Sequence, residues 1–339
     1  MAVRRVKLRY FLIVLVPIVI FWTNSIITGH LVAADLEVTE SMLRDDRPWL
    51  ESVGRYRFLA ATWFFLSLAV LAVALLVRDL MAPLTRDTRI AAIATMGVVV
   101  FLAITPSLQH LMDPDARRVY DRIGSAVFET ALSRGSLPGC SGPEDRWLLG
   151  LCGEIPVLSL FNRTLDIVNV FAGLGVGALI VSMILCLQTH ATRDVEEEAA
   201  LLAQNLRKMR QQLYLSGVVI TFGMFFATSW MYWPVPLVVE SEQAAYGSVV
   251  LSLALFTGIY FSLLLLSFYL PVALILDARV RRLAGLAGAE AKGGKPLDID
   301  DWRRSRGLKE GAADYMRAGF ALTAPILAAF AGGISPIAL

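Results

Sequence analysis

The hydrophobic positions of this chain form six long runs without an acidic or basic side chain, separated by polar connectors. A transmembrane α-helix needs about 20 mostly apolar residues to cross roughly 30 Å of hydrocarbon. The runs cover residues 10–28, 58–77, 90–112, 167–189, 213–239 and 243–276. The pattern therefore predicts an all-α fold, a polytopic membrane helix bundle with six transmembrane helices.

The connectors between the runs set the expected domain organisation. We expect a basic N-terminus, a six-span transmembrane domain and a long tail, at 1–9, 10–277 and 278–339. Within the six-span domain, alternate connectors must lie on opposite sides of the membrane. Loops 29–57 and 113–166 are therefore expected on one side, and the connector 190–212 on the other.

The composition supports a membrane environment. Hydrophobic residues make up 56% of the 339 positions and charged residues 18%, with a formal net charge of +2. Soluble domains carry about 45–50% apolar and about 25% charged residues. These values argue against a soluble enzyme, a disordered protein and a nucleic-acid binder that relies on bulk positive charge. The lipid bilayer is the expected partner.

The distribution of Lys and Arg predicts the orientation. Arg4, Arg5, Lys7 and Arg9 precede the first run without an acidic residue among them. The connectors on that side of the membrane carry net positive charge, and those on the other side carry net negative charge. Because cytoplasmic segments are enriched in Lys and Arg, both termini are expected in the cytoplasm of a cell with a bacterial-type inner membrane.

Two cysteines lie in the second external loop. Cys140 and Cys152 bracket a stretch rich in turn-forming residues, and an exported loop is exposed to the oxidising conditions in which disulfides persist. We predict a disulfide that staples this loop into a small subdomain, with two unpaired thiols as the alternative. Cys186 lies inside the fourth run and is expected to pack as a small apolar residue.

The same loop contains an amphipathic pattern. Val119, Ile123, Val127 and Ala131 recur at helical spacing after a start signal at Asp113. We therefore expect a helix in the second external loop, which together with the first loop forms a compact external cap.

The connector at 190–212 has a heptad pattern. Its apolar positions step by three or four residues, at Val195, Ala199, Leu202, Leu206, Met209 and Leu213. Such a seam is typical of a coiled coil, and it predicts a helical stalk near the membrane. The stalk either mediates oligomerisation or partner docking, or it packs on the C-terminal region of its own chain, which is the interpretation we favour.

The tail contains three kinds of sequence. Residues 285–296 are rich in glycine and read as a flexible linker, and Asp298 is placed to cap a further helix. The stretch 318–339 carries no charged side chain but is interrupted by Pro325 and other helix breakers. We interpret it as a short helix in the membrane interface or against the stalk; a seventh span is the alternative.

The spans lack the usual signs of charge-driven chemistry. Ionisable side chains inside a span mark proton relays and voltage sensors, and the six runs contain no Asp, Glu, Lys or Arg. No metal-binding, phosphate-binding or catalytic motif is present. We therefore expect neither a proton-coupled transporter nor an enzyme, and no metal or cofactor.

Three small groups of residues are the candidate functional positions. Thr23, Asn24 and Ser25 form the densest polar patch in any span and are candidates for a pore lining or a polar core. Gly173 and Gly177 form a GxxxG pair that favours close helix packing. Trp230, Tyr232 and Trp233 are interpreted as interface anchors, with a ligand-binding or gating cluster as the alternative.

Two functions from different classes fit these features. The first is an oligomeric channel or pore without charge-coupled transport, built by copies of this chain and lined by hydroxyl and amide groups. The alternative is a membrane sensor or scaffold, in which the external loops pass a signal through the stalk and tail to a cytoplasmic protein partner. The sequence does not identify the ion, substrate or signal.

Overall fold

A computed structural model of the chain describes residues 4–28, 38–44, 50–112, 119–134, 157–190, 194–290, 298–309 and 311–334. Within these ranges the regular structure is helical, without a β-strand. The α-helices are α1 (Leu15–Ile26), α2 (Glu51–Met81), α3 (Arg86–Met112), α4 (Val119–Ser133), α5 (Val157–Leu185), α6 (Val195–Tyr232), α7 (Glu240–Glu290), α8 (Ile299–Ser305) and α9 (Ala312–Ile334). Short 3-10 segments lie at Leu8–Val14, Glu40–Met42 and Val235–Leu237.

Six helical stretches in the described ranges are long and apolar enough to cross a membrane, which confirms the predicted number of spans. They are Leu8–Ile26, Glu51–Met81, Arg86–Pro106, Thr164–Leu185, Val195–Leu237 and Glu240–Gly288. The helix of the second span begins at Glu51, whereas the apolar run begins at residue 58. Glu51 is paired with Arg55, and a paired charged side chain does not end a helix. The last residues of the connector 29–57 thus form the beginning of α2.

Helices α5 and α6 form the centre of the bundle. In their apolar stretches 61% and 56% of the residues are buried, against 17% in the first and third spans. Helix α2 packs against both α5 and α6, α3 packs against α5, and α7 packs against α6. Helix α1 packs mainly against α7 and forms the edge of the bundle.

The two ends of the bundle carry different structures. Helix α4 packs beside the C-terminal end of α6, and we call this end the α4 face. At the opposite end, Arg4 and Arg5 hydrogen-bond to the loops that follow α2 and α5; we call it the amino-terminal face.

Helix α4 is the amphipathic helix that the sequence predicts. It covers Val119–Ser133, and its apolar positions Val119, Ile123, Val127 and Ala131 are all buried. The predicted start at Asp113 lies outside the described residues. The burial of this seam fixes α4 on the bundle.

Helix α9 contains most of the apolar stretch that the sequence predicts to lie in the interface or against the stalk. It packs along α6 and α7, where Ala321 contacts Gly217 of α6 and Pro325 contacts Gly258 of α7. Both glycines lie well inside their apolar stretches, so α9 reaches the level of the spans. Of the two placements expected from the sequence, the one against the stalk agrees with the start of α9, where Asp314 lies 2.9 Å from Arg210 of α6. The rest of α9 continues along α6 and α7, because small residues on these helices give the alanine-rich helix a closely fitting neighbour.

The predicted linker is also shorter than expected. Helix α7 continues through Gly285 to Glu290, with Leu283, Ala284 and Ala287 buried. Helix α8 begins after Asp298. The carboxylate of Asp298 accepts hydrogen bonds from the backbone N–H groups of Asp300 and Asp301, so Asp298 caps the helix as the sequence predicts. The glycines at this point therefore lie in a helix where apolar burial outweighs their low helix propensity.

Candidate functional site

The predicted polar patch lies at the edge of the bundle. Thr23 and Ser25 are exposed near the end of α1, and Asn24 is partly buried. The hydroxyl of Thr28 donates to the carbonyl oxygen of Asn24 at 2.8 Å. Because α1 is peripheral, these side chains do not line a path through one chain, and a pore lined by them would need several copies.

The GxxxG pair lies where α5 meets α3. A Cβ atom built on Gly173 would lie 2.6 Å from the Cβ of Ala103, and one built on Gly177 would lie 2.7 Å from the sulfur of Met96. Real Cβ atoms do not approach so closely. The two glycines therefore permit a helix contact within the chain.

The stalk seam is also used within the chain. Leu202, Leu206 and Met209 are all buried, in the part of α6 that leads to the amino-terminal face. Asn205, beside them, donates to the carbonyl oxygen of Gln188 at 2.8 Å. The seam is therefore not available to a second chain. The disulfide predicted for Cys140 and Cys152 lies outside the described residues.

The α4 face holds a group of packed rings, which we call the aromatic cluster: Phe58, Phe128, Phe226, Trp230 and Trp233. The ring of Phe58 lies 5.0 Å from Trp233, 5.3 Å from Phe226 and 5.4 Å from Trp230, measured between centroids. Phe128 of α4 lies 5.3 Å from Trp233. Such spacings are typical of stabilising ring pairs. Both tryptophans are fully buried, so the interface-anchor interpretation of Trp230, Tyr232 and Trp233 is wrong.

A buried charge contacts this cluster. Glu51, at the start of α2, is only 3% exposed, and its carboxylate accepts a hydrogen bond of 2.6 Å from the indole N–H of Trp233. Arg55, one turn later, donates to both carboxylate oxygens, at 3.0 Å and 2.6 Å. The bidentate pair and the indole together satisfy a charge that would otherwise be costly to bury. We call these three residues the α4-face clamp.

Helix α4 is docked by the neighbouring tryptophan. The indole N–H of Trp230 donates to the backbone carbonyl oxygen of Tyr120 at 3.1 Å. A Cβ atom built on Gly124 would lie 2.0 Å from the indole nitrogen of Trp230, so only glycine fits at this position. Tyr246 of α7 adds a further link, since its hydroxyl lies 2.7 Å from the carbonyl oxygen of Met231 and 3.4 Å from that of Ile123.

The opposite end of α2 is held to α6 by a second ion pair. The Nζ atom of Lys208 lies 2.7 Å from a carboxylate oxygen of Asp79, and both side chains are largely buried. We call this pair the amino-terminal clamp. Helices α2 and α6 run antiparallel, so the two clamps join the same two helices at opposite faces of the bundle.

The start of the chain adds backbone hydrogen bonds at the amino-terminal face. The N–H of Arg4 donates to Pro83 at 2.9 Å, and its carbonyl oxygen accepts from Thr85 at 3.0 Å. Arg5 exchanges two hydrogen bonds with Thr189, of 2.9 Å and 2.8 Å. The N-terminal segment therefore joins the loop after α2 to the loop after α5.

Helix α8 is attached to the beginning of α6. The guanidinium of Arg306 forms a two-point ion pair with Glu196 and lies 4.6 Å from the ring centroid of Trp302, which is buried. Nearby, the ammonium of Lys309 holds the pKa of the Asp300 carboxyl below its usual range. These contacts connect the tail to the same helix that holds α4 at its other end.

The polar contacts described above hold helices of the bundle in position. Among the described residues, no group of three His, Cys, Asp or Glu side chains is placed to bind a metal ion. The polar side chains that are buried at the ends of α2 contact other protein groups, so they act as structural links.

Sequence reasoning missed both clamps. Glu51 and Asp79 lie just beyond the apolar run of α2, where charged residues are usually assigned to solvent. The spacing of four residues between Glu51 and Arg55 is the one signal that indicates a helical ion pair before the run begins.

No known protein family matches the chain, and no similar protein was found among curated proteins or solved structures.

Proposed function

We propose that this protein is a membrane sensor or scaffold, in which α6 links the position of α4 to the tail on the opposite face. The observation that carries the proposal is the continuity of α6, which extends over 38 residues from Val195 to Tyr232. At 1.5 Å per residue such a helix is about 57 Å long, so it joins both faces of the bundle.

The contacts at the two ends of α6 support this role. At one end Trp230 holds α4 through Tyr120 and the contact with Gly124. At the other end Glu196 holds α8 through Arg306. A rigid element that contacts both sites is the kind of physical path through which a change at one site affects the other.

The direction of signalling follows from the charges. Arg4, Arg5, Lys7 and Arg9 lie at the amino-terminal face, and this enrichment in basic residues favours a cytoplasmic location. In this orientation α4 faces the outside and receives the signal. Arg282 is exposed at the amino-terminal face, and its positive charge favours a cytoplasmic protein partner with an acidic surface.

Hydrogen–deuterium exchange of the full-length chain in lipid nanodiscs tests the coupling. Gly124→Leu forces the side chain of Trp230 to move and releases α4. If α6 couples the two faces, amides of α8 exchange about tenfold faster, which corresponds to about 1.4 kcal/mol of local stability.

The matched control is Gly97→Leu, since nothing lies within 4 Å of a Cβ atom at that glycine. This variant should leave the exchange of α4 and α8 unchanged. Faster exchange in α4 without any change in α8 would contradict the proposal.

The oligomeric channel is a second candidate, and one observation favours it. The hydroxyl oxygens of Ser216 and Thr221 in α6 and of Ser262 in α7 are buried without a hydrogen-bond partner in the described part of the chain. Buried hydroxyl groups are normally satisfied, often by water. A water path at this position would involve α6 and α7 rather than the patch around Asn24.

Ion flux into liposomes tests the channel. Ser216→Ala should reduce flux if water follows the α6 hydroxyls, whereas Asn24→Leu should reduce it if copies of α1 line the pore. A folded reconstituted protein without flux would contradict both versions.

A further inference from the structure

An apolar cavity of about 140 Å³ lies between α1, α3, α5 and α7. Its walls include Ile18 and Phe21 of α1, Leu102 of α3, Val176 of α5 and Leu264 of α7. The polar side chains among its lining residues are those of Asn169 and Tyr260, and no acidic or basic residue contributes. This chemistry excludes an ionic ligand and favours a hydrocarbon group.

The cavity lies at the depth of the spans. Each lining residue belongs to one of the six apolar stretches that are able to cross a membrane. The solvent around such stretches consists of lipid acyl chains. An unfilled cavity of this kind costs stability because its walls lack contacts on one side.

Helix α1 is the most loosely held wall of the cavity. Within Leu15–Ile26 only Pro17 is buried, while Leu15, Val19 and Trp22 are more than half exposed. A chain that enters from the bilayer therefore has to displace few contacts where α1 meets its neighbours.

We propose that this cavity holds the end of one acyl chain of a membrane phospholipid. The cavity is open on one side, and its volume is close to the roughly 150 Å³ of an engineered apolar protein cavity that binds benzene. Several methylene groups therefore fit inside, and the remainder of the lipid stays in the bilayer. The site does not depend on the proposed signalling role and goes beyond it.

The cavity also has a link to the α4 face. Asn169 lines the cavity, and its side-chain oxygen accepts a hydrogen bond of 3.1 Å from the hydroxyl of Tyr120 on α4. Occupancy of the cavity therefore acts on a side chain that contacts α4 directly.

Photo-crosslinking tests the site. The full-length chain is reconstituted in phosphatidylcholine liposomes that contain a phospholipid with a diazirine near the end of one acyl chain. After illumination, mass spectrometry should find label on residues that line the cavity, such as Ile18 and Val176. Ala172→Phe fills the cavity from α5 and should reduce this label about tenfold, which corresponds to about 1.4 kcal/mol of affinity.

The control and a second variant keep the test decisive. Ala94→Phe places the same side chain at an exposed position of α3 and should leave the cavity label unchanged. If Ala172→Phe does not fold, Ile18→Trp fills the cavity from the loosely held α1. Label found only on exposed faces, or equal loss of label in Ala94→Phe, would overturn the proposal.

Discussion

The two clamps join the same pair of helices but differ in how they do so. In the α4-face clamp, the buried carboxylate of Glu51 accepts a hydrogen bond from Trp233, whose ring stacks on Phe58, and is paired within its own helix to Arg55. In the amino-terminal clamp, Asp79 is paired directly across the helices to Lys208. The side-chain exposure is 4% for Glu51 and 23% for its partner Arg55, against 10% for Asp79 and 22% for Lys208, so the two clamps differ in the carboxylate rather than in the cation.

At the α4 face, shape complementarity between rings holds α2 on α6. At the amino-terminal face, charge pairing holds the same two helices together. The aromatic cluster leaves little freedom, because ring packing and the contact at Gly124 permit only one arrangement. The amino-terminal clamp relies on an ion pair that is partly accessible to water, supported by the backbone hydrogen bonds of Arg4 and Arg5. We therefore expect the α4 face to resist salt and to respond strongly to changes in side-chain size, and the other face to do the opposite.

The largest effect is expected from Arg55→Leu. The variant leaves the Glu51 carboxylate buried without its bidentate partner, and removing one member of a buried ion pair costs about 3–5 kcal/mol. The free energy of unfolding, measured by denaturant titration in detergent micelles, should fall by this amount.

The control for Arg55→Leu removes the charge as well. In the double variant Glu51→Gln with Arg55→Leu, the amide oxygen still accepts from Trp233 and no buried charge remains. Most of the lost stability should return. Equal losses in the single and double variants would show that packing of the arginine, rather than charge pairing, holds this end together.

A smaller loss is expected from Gly124→Ala. The added Cβ atom would overlap the indole of Trp230, and such overpacking costs about 1–3 kcal/mol. Gly97→Ala should be neutral or stabilise by up to about 1 kcal/mol, because alanine has the higher helix propensity and meets no neighbour. The same titration measures both variants, and equal behaviour of the two would contradict the close contact between α4 and α6.

The sequence predicts the bundle much better than it predicts the clamps. The apolar pattern of a helix shows directly which of its faces avoid water. The six spans and the buried face of α4 can therefore be predicted from the pattern. The clamps depend on which helices are neighbours, and a single sequence does not contain that information. Glu51 and Asp79 therefore look like ordinary charged residues at the ends of a span.

The apolar contacts of the tail are also difficult to predict from the sequence. The stretch around Pro325 is rich in alanine and glycine, and its hydrophobicity alone does not indicate which helices it packs against. In the structure it fits against Gly217 and Gly258, where small residues on both sides allow close packing. Such complementarity between helices depends on their relative position, which hydropathy does not describe.

A modest effect is expected from Lys208→Met. The methionine keeps much of the apolar stem but leaves the largely buried carboxylate of Asp79 with only the guanidinium of Arg78, 3.9 Å away, so the free energy of unfolding should fall by about 1–3 kcal/mol. Arg304→Met is the matched control, since Arg304 pairs with Asp301 where both side chains are well exposed. That variant should not change the stability measurably, and an equal loss in both would contradict a special role of the amino-terminal clamp.

The smallest effect, and the sharpest comparison of the two faces, is expected from salt. Raising the ionic strength from about 0.1 M to 1 M shortens the Debye length from about 10 Å to about 3 Å. Because water reaches Lys208, screening should reduce the stability difference between the wild type and Lys208→Met by a few tenths of a kcal/mol. The difference between the wild type and Arg55→Leu should change less, because the Glu51 carboxylate is less exposed than that of Asp79 and also accepts a hydrogen bond from the indole of Trp233. If salt reduces both differences equally, the burial of Glu51 does not shield its carboxylate and the two faces are held by the same kind of interaction.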